Sequence, residues 1–228
     1  MAPLHLFVRY PDKVPYFPTV NEALASLPEE KRIEKNDPAP EEKWISPVIV
    51  HIAPGLYEER ILVNRPHVTF LGEDAETTIL SYHLGAFEIM KDGSKRGTFR
   101  TASVHIDSHD FTAKNITFRN NAGFGHTVGQ ALALYVDGDR IIFEDCIFLS
   151  SQDTLFTAPL PPKAAQPGGF TGPGEFTPRI SGRHYYKNCY IRGDVDFIFG
   201  GATAYFEQCT IFSQKPGDRK PPESPKDE

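Results

Sequence analysis

Five short segments of this chain carry one imprint, an apolar residue at the first and third places of a triplet. They are Val68-Thr69-Phe70, Ile116-Thr117-Phe118, Cys146-Ile147-Phe148, Cys189-Tyr190-Ile191 and Cys209-Thr210-Ile211. Alternation with period two marks a strand with one buried face. From Cys189 to Cys209 the unit recurs after 20 residues, the spacing of a solenoid coil. Wider intervals elsewhere are then coils that carry insertions. If equivalent positions stack from coil to coil, Cys146, Cys189 and Cys209 form an internal column beside a column of Phe and Ile, and serve as reduced packing residues. A sandwich or barrel rich in Phe is the competing fold.

Composition agrees with a β protein. Twenty Pro and 18 Gly break the chain often, and 17 Phe with nine Tyr supply the aromatics that suit pleated, half-buried surfaces. One helix is predicted near the start, where Val20, Ala23, Leu24 and Leu27 share a face and Thr19 with Glu22 forms a capping box. The whole chain, 1–228, reads as a single all-β domain. Residues 158–178 are a Pro/Gly-rich loop insertion, and 214–228 a loop or frayed tail.

A formal charge of -6 without a Lys/Arg cluster argues against nucleic acid. No apolar run is long enough to span a bilayer, and the first residues lack a basic stretch followed by an apolar one. The chain is therefore expected to be cytoplasmic, away from membranes, and monomeric. Its eight His show no metal-ligand spacing along the sequence, so no metal and no cofactor is expected.

Two acids stand in unusual company, in Gln152-Asp153-Thr154-Leu155-Phe156 and in Val195-Asp196-Phe197-Ile198-Phe199-Gly200. A carboxyl set among aromatic residues is desolvated, and a second carboxylate nearby holds a proton on one of the two, which divides acid and nucleophile roles. With the loop insertion removed, the pair lies about one coil apart. Gln130 and Gln152 add neutral amide donors of the kind that stabilise an oxyanion. Each residue also has a plain reading: Asp as a turn former, Gln as a surface side chain.

At these motifs the sequence resembles the pectin methylesterases. The resemblance rests on Gln130-Ala131-Leu132-Ala133-Leu134, on the block from Phe143 to Phe156, on the block from Tyr186 to Gly200, on Gly55-Leu56-Tyr57-Glu58-Glu59 and on Asn115 to Asn120. It implies a right-handed parallel β-helix with one short N-terminal helix, and a groove in which methyl esters of galacturonan, as pectin or oligogalacturonide, are hydrolysed to carboxylate and methanol. By motif match Asp196 is the nucleophile, Asp153 the general acid and then base, and Gln130 and Gln152 the oxyanion donors. Phe156 and Phe199 are expected to line the groove, and Thr98 to touch substrate.

Two departures from the family pattern stand out. The long Pro/Gly loop after Phe156 is absent from the shorter plant-type pattern and is expected to cap the groove or restrict it to short oligosaccharides. The family's downstream Gly-Arg-Pro-Trp motif, whose guanidinium steadies the nucleophile, does not occur before Glu228, and Arg219 is no substitute. The chain then reads as a family domain lacking its last coils, with reduced or absent esterase activity. A non-catalytic galacturonan-binding β-helix and a glycosidase or lyase are the competing functions.

Overall fold

The computed structural model describes residues 2–28 and 46–216. The polar stretch around Asp37 and the tail beyond Pro216, Arg219 included, lie outside the described residues. Strands make three sheets of eight, six and five members, and every ladder between strands is parallel. The chain visits the sheets in turn. Val48–Ile52, Gly55–Glu58 and Ile61–Val63 form one coil; Ile141–Glu144, Ile147–Leu149 and Leu155–Thr157 form another, stacked under Arg183–Lys187, Tyr190–Gly193 and Ile198–Gly200. This is the expected parallel β-helix.

The corner between the first and second sheets explains why the repeat is visible in sequence. Asn115, Asp145, Asn188 and Gln208 all hold positive φ, between 52° and 56°. A left-handed residue turns the chain sharply, and Asn and Asp tolerate that conformation best. The residue that follows each one points inward: Ile116, Cys146, Cys189, then Cys209. Their neighbours pair in register, Thr117 with Ile147, Ile147 with Tyr190, and Tyr190 with Thr210. The cysteines therefore form the expected column. All three are free thiols, and burial pushes the Cys189 thiol up to about 12.

Val68-Thr69-Phe70 departs from the expected column. It pairs with Val48, Ile49 and Val50 in the first sheet, and the place in the second sheet belongs to Thr78–Tyr82, whose Leu80 pairs with Phe118. Both sheets bury alternate residues, so period two alone does not tell one face from another. Inside, Phe143, Tyr186 and Phe206 stack ring on ring at 5.2 and 4.6 Å, and Phe118 lies on Phe148 at 5.5 Å.

The predicted helix spans Val20–Ala25 with Thr19 as its cap, Oγ1 accepting from Glu22 N at 3.1 Å. Its buried Val20 and Ala23 close one end of the solenoid. The Gly-x-Tyr-x-Glu motif serves this closure. Tyr57 is buried beneath the Arg9 guanidinium, and the Glu59 carboxylate accepts from Val20 N and Asn21 N, both at 3.0 Å. Among the described residues no helix is long and apolar enough to cross a membrane.

Candidate active site

Asp153 and Asp196 lie directly over one another on adjacent coils. Leu155 pairs with Ile198 and Phe156 with Phe199, so counting back two residues on each strand puts the acids in register. Neighbouring strands are about 4.8 Å apart. The main chain fixes the stack, Asp153 N donating to Val195 O at 3.0 Å and Asp194 N to Ser151 O at 2.9 Å. Both acids have left-handed backbones, with φ of 62° and 48°. The backbone thus turns at each acid, immediately before the strand that follows.

The two carboxyls differ in environment. Asp153 is only 6% exposed, and its Oδ1 has no hydrogen-bond partner among the described residues; Asp196 is exposed. Burial, with the charges of Asp196 and Asp194 added, pushes the Asp153 carboxyl up to about 8, and the Gln152 amide beside it opposes that shift. Removal from water disfavours the charged form, and a neighbouring carboxylate disfavours it further. Near neutral pH a proton is therefore favoured on buried Asp153, beside the accessible side chain of Asp196. That is the charge distribution needed by an acid and a nucleophile acting together.

Gln152 precedes Asp153 and packs against Gly125, where a Cβ would stand 2.5 Å from Oε1 of the amide. Glycine there lets the short helix Gly125–Val128 close over the glutamine. Ala131 N donates to Gln152 O at 3.0 Å, which brings the half-buried Gln130 alongside. A cleft opens here, lined by Gly125, His126, Gln152, Asp194, Val195 and Pro216. The two acids are thus stacked, Gln152 adjoins Asp153 and the backbone of Gln130 runs alongside; of these four residues, Gln152 lines the cleft. Asp194 and His126 were not singled out in the sequence. Asp194 sits two residues before Asp196 in Arg-Gly-Asp-Val-Asp, a doubling of acids that was the available signal; for His126 the sequence offers none.

Of the two aromatic residues expected in the groove, Phe156 departs from the expectation. Phe156 is 1% exposed, so among the described residues its ring is covered and not open to a groove. It packs with Phe99, Tyr135 and the half-buried Phe199 in a second apolar cluster outside the solenoid. The Pro/Gly-rich segment folds back over that cluster. Phe170 meets Phe99 edge-on at 6.1 Å, Leu160 is buried in the same cluster, and Tyr135 OH donates to Pro173 O at 2.8 Å. Thr98 is half-buried in the turn Thr98–Arg100 beside these rings.

One cluster with ligand spacing was missed, because its members come from successive coils. His67, His109 and Asp110 converge on the outer edge of the first sheet. Arg140 donates to both Asp110 oxygens at 2.5 Å, which already neutralises the carboxylate a metal would need. On the same face Arg183 pairs with Asp139 at 2.6 Å.

Comparison with known proteins places this geometry. The Pectinesterase family matches residues 10–160 and 179–222, and the interval between them falls in the Pro/Gly-rich segment. Pectinesterase QRT1 of Arabidopsis thaliana is 37% identical over 172 residues, 73% of this chain and 40% of its own length. Pectinesterase 31 of the same plant is 35% identical over 175 residues, 74% and 48% of the two chains. Among solved structures, a pectin methylesterase in complex with hexasaccharide VII superposes with a TM-score of 0.72 at 27% identity, over 96% of this chain and 58% of its own. Pectin methylesterase PemA from Erwinia chrysanthemi gives 0.71 at 28%, with the same coverage. The chain spans about half the length of these relatives.

Proposed function

Because the chain belongs to the pectinesterase family, we propose that it removes methyl esters from galacturonan by aspartyl catalysis. The observation that carries this reading is the stacked pair in which buried Asp153 keeps its proton beside an accessible Asp196.

An Asp196 oxygen attacks the ester carbonyl carbon, and the carbonyl oxygen takes up the negative charge. Gln130 and Gln152 amides donate to that oxyanion, for which fixed neutral donors lower the barrier. Collapse breaks the bond to the methoxy group, which leaves as methanol with the proton from Asp153. An acyl anhydride on Asp196 remains. Asp153, now a carboxylate, takes a proton from water as that water attacks the anhydride. The bond between the acyl carbon and Asp196 breaks, the sugar unit departs as a carboxylate and the second proton of the water passes to solvent, leaving Asp196 free and Asp153 protonated again.

The test is methanol release from methylated oligogalacturonides by the parent chain, Asp153→Asn, Asp196→Asn and Gln130→Ala. Loss of turnover in both aspartate variants, with Gln130→Ala reducing kcat by about 10²–10³-fold, supports the reading. Unchanged turnover in either aspartate variant overturns it.

A second reading has one observation in its favour. Among the described residues no cation pairs with Asp196, so nothing in this part of the chain steadies the nucleophile as a guanidinium would. A chain that binds oligogalacturonide and releases no methanol would have the binding role alone.

A further inference from the structure

The cysteine column ends in two thiols that face each other and differ in access. Lys187 pairs with Glu207 and Tyr190 with Thr210, so Cys189 and Cys209 stand in register at the corner between those strands. Main-chain bonds hold the corner on both sides, Asn188 N donating to Glu207 O at 2.9 Å and Thr210 N to Cys189 O at 2.8 Å. Strands on neighbouring coils are about 4.8 Å apart, within the Cα separation of about 4.4–6.8 Å that a disulfide spans. The Cys209 sulfur leans towards the earlier coil, where Sγ donates to Tyr186 O at 3.4 Å, and the Cys189 thiol is its side-chain neighbour. Cys146 continues the register one coil further in. It and Cys189 are 0% and 1% exposed, whereas Cys209 is open in part.

Access divides the chemistry between the two. A sealed cysteine is inert towards a reagent in solution, so the first oxidation falls on Cys209, and Cys189 is the thiol in place to resolve it. We propose that Cys189 and Cys209 form an oxidisable pair, in which hydrogen peroxide closes a disulfide that staples the outermost described coil to the coil carrying Asp196. The Cys209 sulfur attacks one peroxide oxygen, the O–O bond breaks, and the other oxygen leaves as water with the thiol proton, giving a sulfenic acid. The Cys189 sulfur then attacks the Cys209 sulfur. The S–S bond forms, the S–O bond breaks, and the hydroxyl departs as a second water with the Cys189 proton. The thiols lose two electrons and the peroxide gains them. The staple bears on the cleft, because Gln214 N, five residues past Cys209, donates to Gly193 O at 2.8 Å directly before Asp194, and Pro216 lines the cleft. Holding the outermost coil holds that wall.

Treating the full chain with hydrogen peroxide tests the pair, whether or not the chain releases methanol. Peptide mapping without reduction should join the tryptic peptide holding Cys189 to the one holding Cys209, leave Cys146 free to alkylation, and lose the link in dithiothreitol. That map is read on the parent chain and needs no variant to fold. The unfolding midpoint should also rise on oxidation by roughly 5–10 °C, as closing a 20-residue loop implies. Cys146→Ser should keep the rise, and Cys189→Ser and Cys209→Ser should each abolish it. A link between Cys146 and Cys189, a disulfide joining two chains, or Cys209 carried to sulfinic acid with Cys189 still free would each overturn the proposal.

Discussion

The two ends of the solenoid are built from the same coil and differ, among the described residues, in what covers them. At the first end, the Val20–Ala25 helix lies across the opening with Val20 and Ala23 buried, Glu59 caps it, and Arg9 bonds Pro18 O and Leu56 O at 3.1 Å. At the other end, the strands Thr203–Glu207 and Thr210–Ser213 are the outermost members of their sheets. There Tyr205 is 64% and Ile211 53% exposed. In a solenoid each coil draws stability from its neighbours, so a covered end is held by more contacts than an uncovered one. The acid pair sits near the weaker end. Among the described residues Asp196 belongs to the last coil that reaches all three sheets, and Asp153 to the coil before it.

The largest effect that tests this contrast comes from placing a charge at each end. Val20→Asp should cost about 3–5 kcal/mol, as an unpaired buried charge does, and Ile211→Asp less than about 0.5 kcal/mol. Urea unfolding followed by circular dichroism reads both. Equal costs would mean that the uncovered face is shielded in solution.

Next in size is the pH dependence of the acid pair. The folded Asp153 carboxyl titrates near 8, above the ordinary aspartate value near 3.9. Between those values the native state holds a proton that the unfolded chain has released, so stability falls as pH rises through the window. Asp153→Asn should flatten that slope in unfolding midpoints taken from about pH 4 to 8. An unchanged slope would show that Asp153 does not titrate there.

Glu59→Ala, which uncaps the covering helix, should cost about 1–2 kcal/mol in the same unfolding assay. A loss below a few tenths would mean that apolar contact alone holds the helix in place. The smallest expected change is a gain. Tyr186 is fully buried in the ring stack, and its hydroxyl has no hydrogen-bond partner among the described residues. Tyr186→Phe removes an uncompensated polar group and should stabilise the chain by about 1 kcal/mol. A loss would reveal a partner for that hydroxyl.

The coil was legible in sequence because one corner imposes it. A left-handed residue followed by an inward apolar one recurs at Asn115-Ile116, Asp145-Cys146, Asn188-Cys189 and Gln208-Cys209. Val68-Thr69-Phe70 shares the triplet pattern yet lies in the first sheet, because alternation shows that a strand is half buried without showing which sheet it joins. The acids were legible because charge among aromatic residues is conspicuous. His126 and the inner side of the inserted segment were not. Pro/Gly composition describes a loop that leaves the solenoid without showing that Phe170 returns to cover Phe99.

The cysteine column can also serve as a gauge. Cys146 and Cys189 are sealed, while Cys209 is partly open at the uncovered end, so a thiol reagent samples the solenoid in order of depth. Fraying that begins at the uncovered end exposes Cys209 first, Cys189 next and Cys146 last, and the ratio of their labelling rates measures how far each opening event travels. The chain thus reports its own partial unfolding, coil by coil, without an added probe.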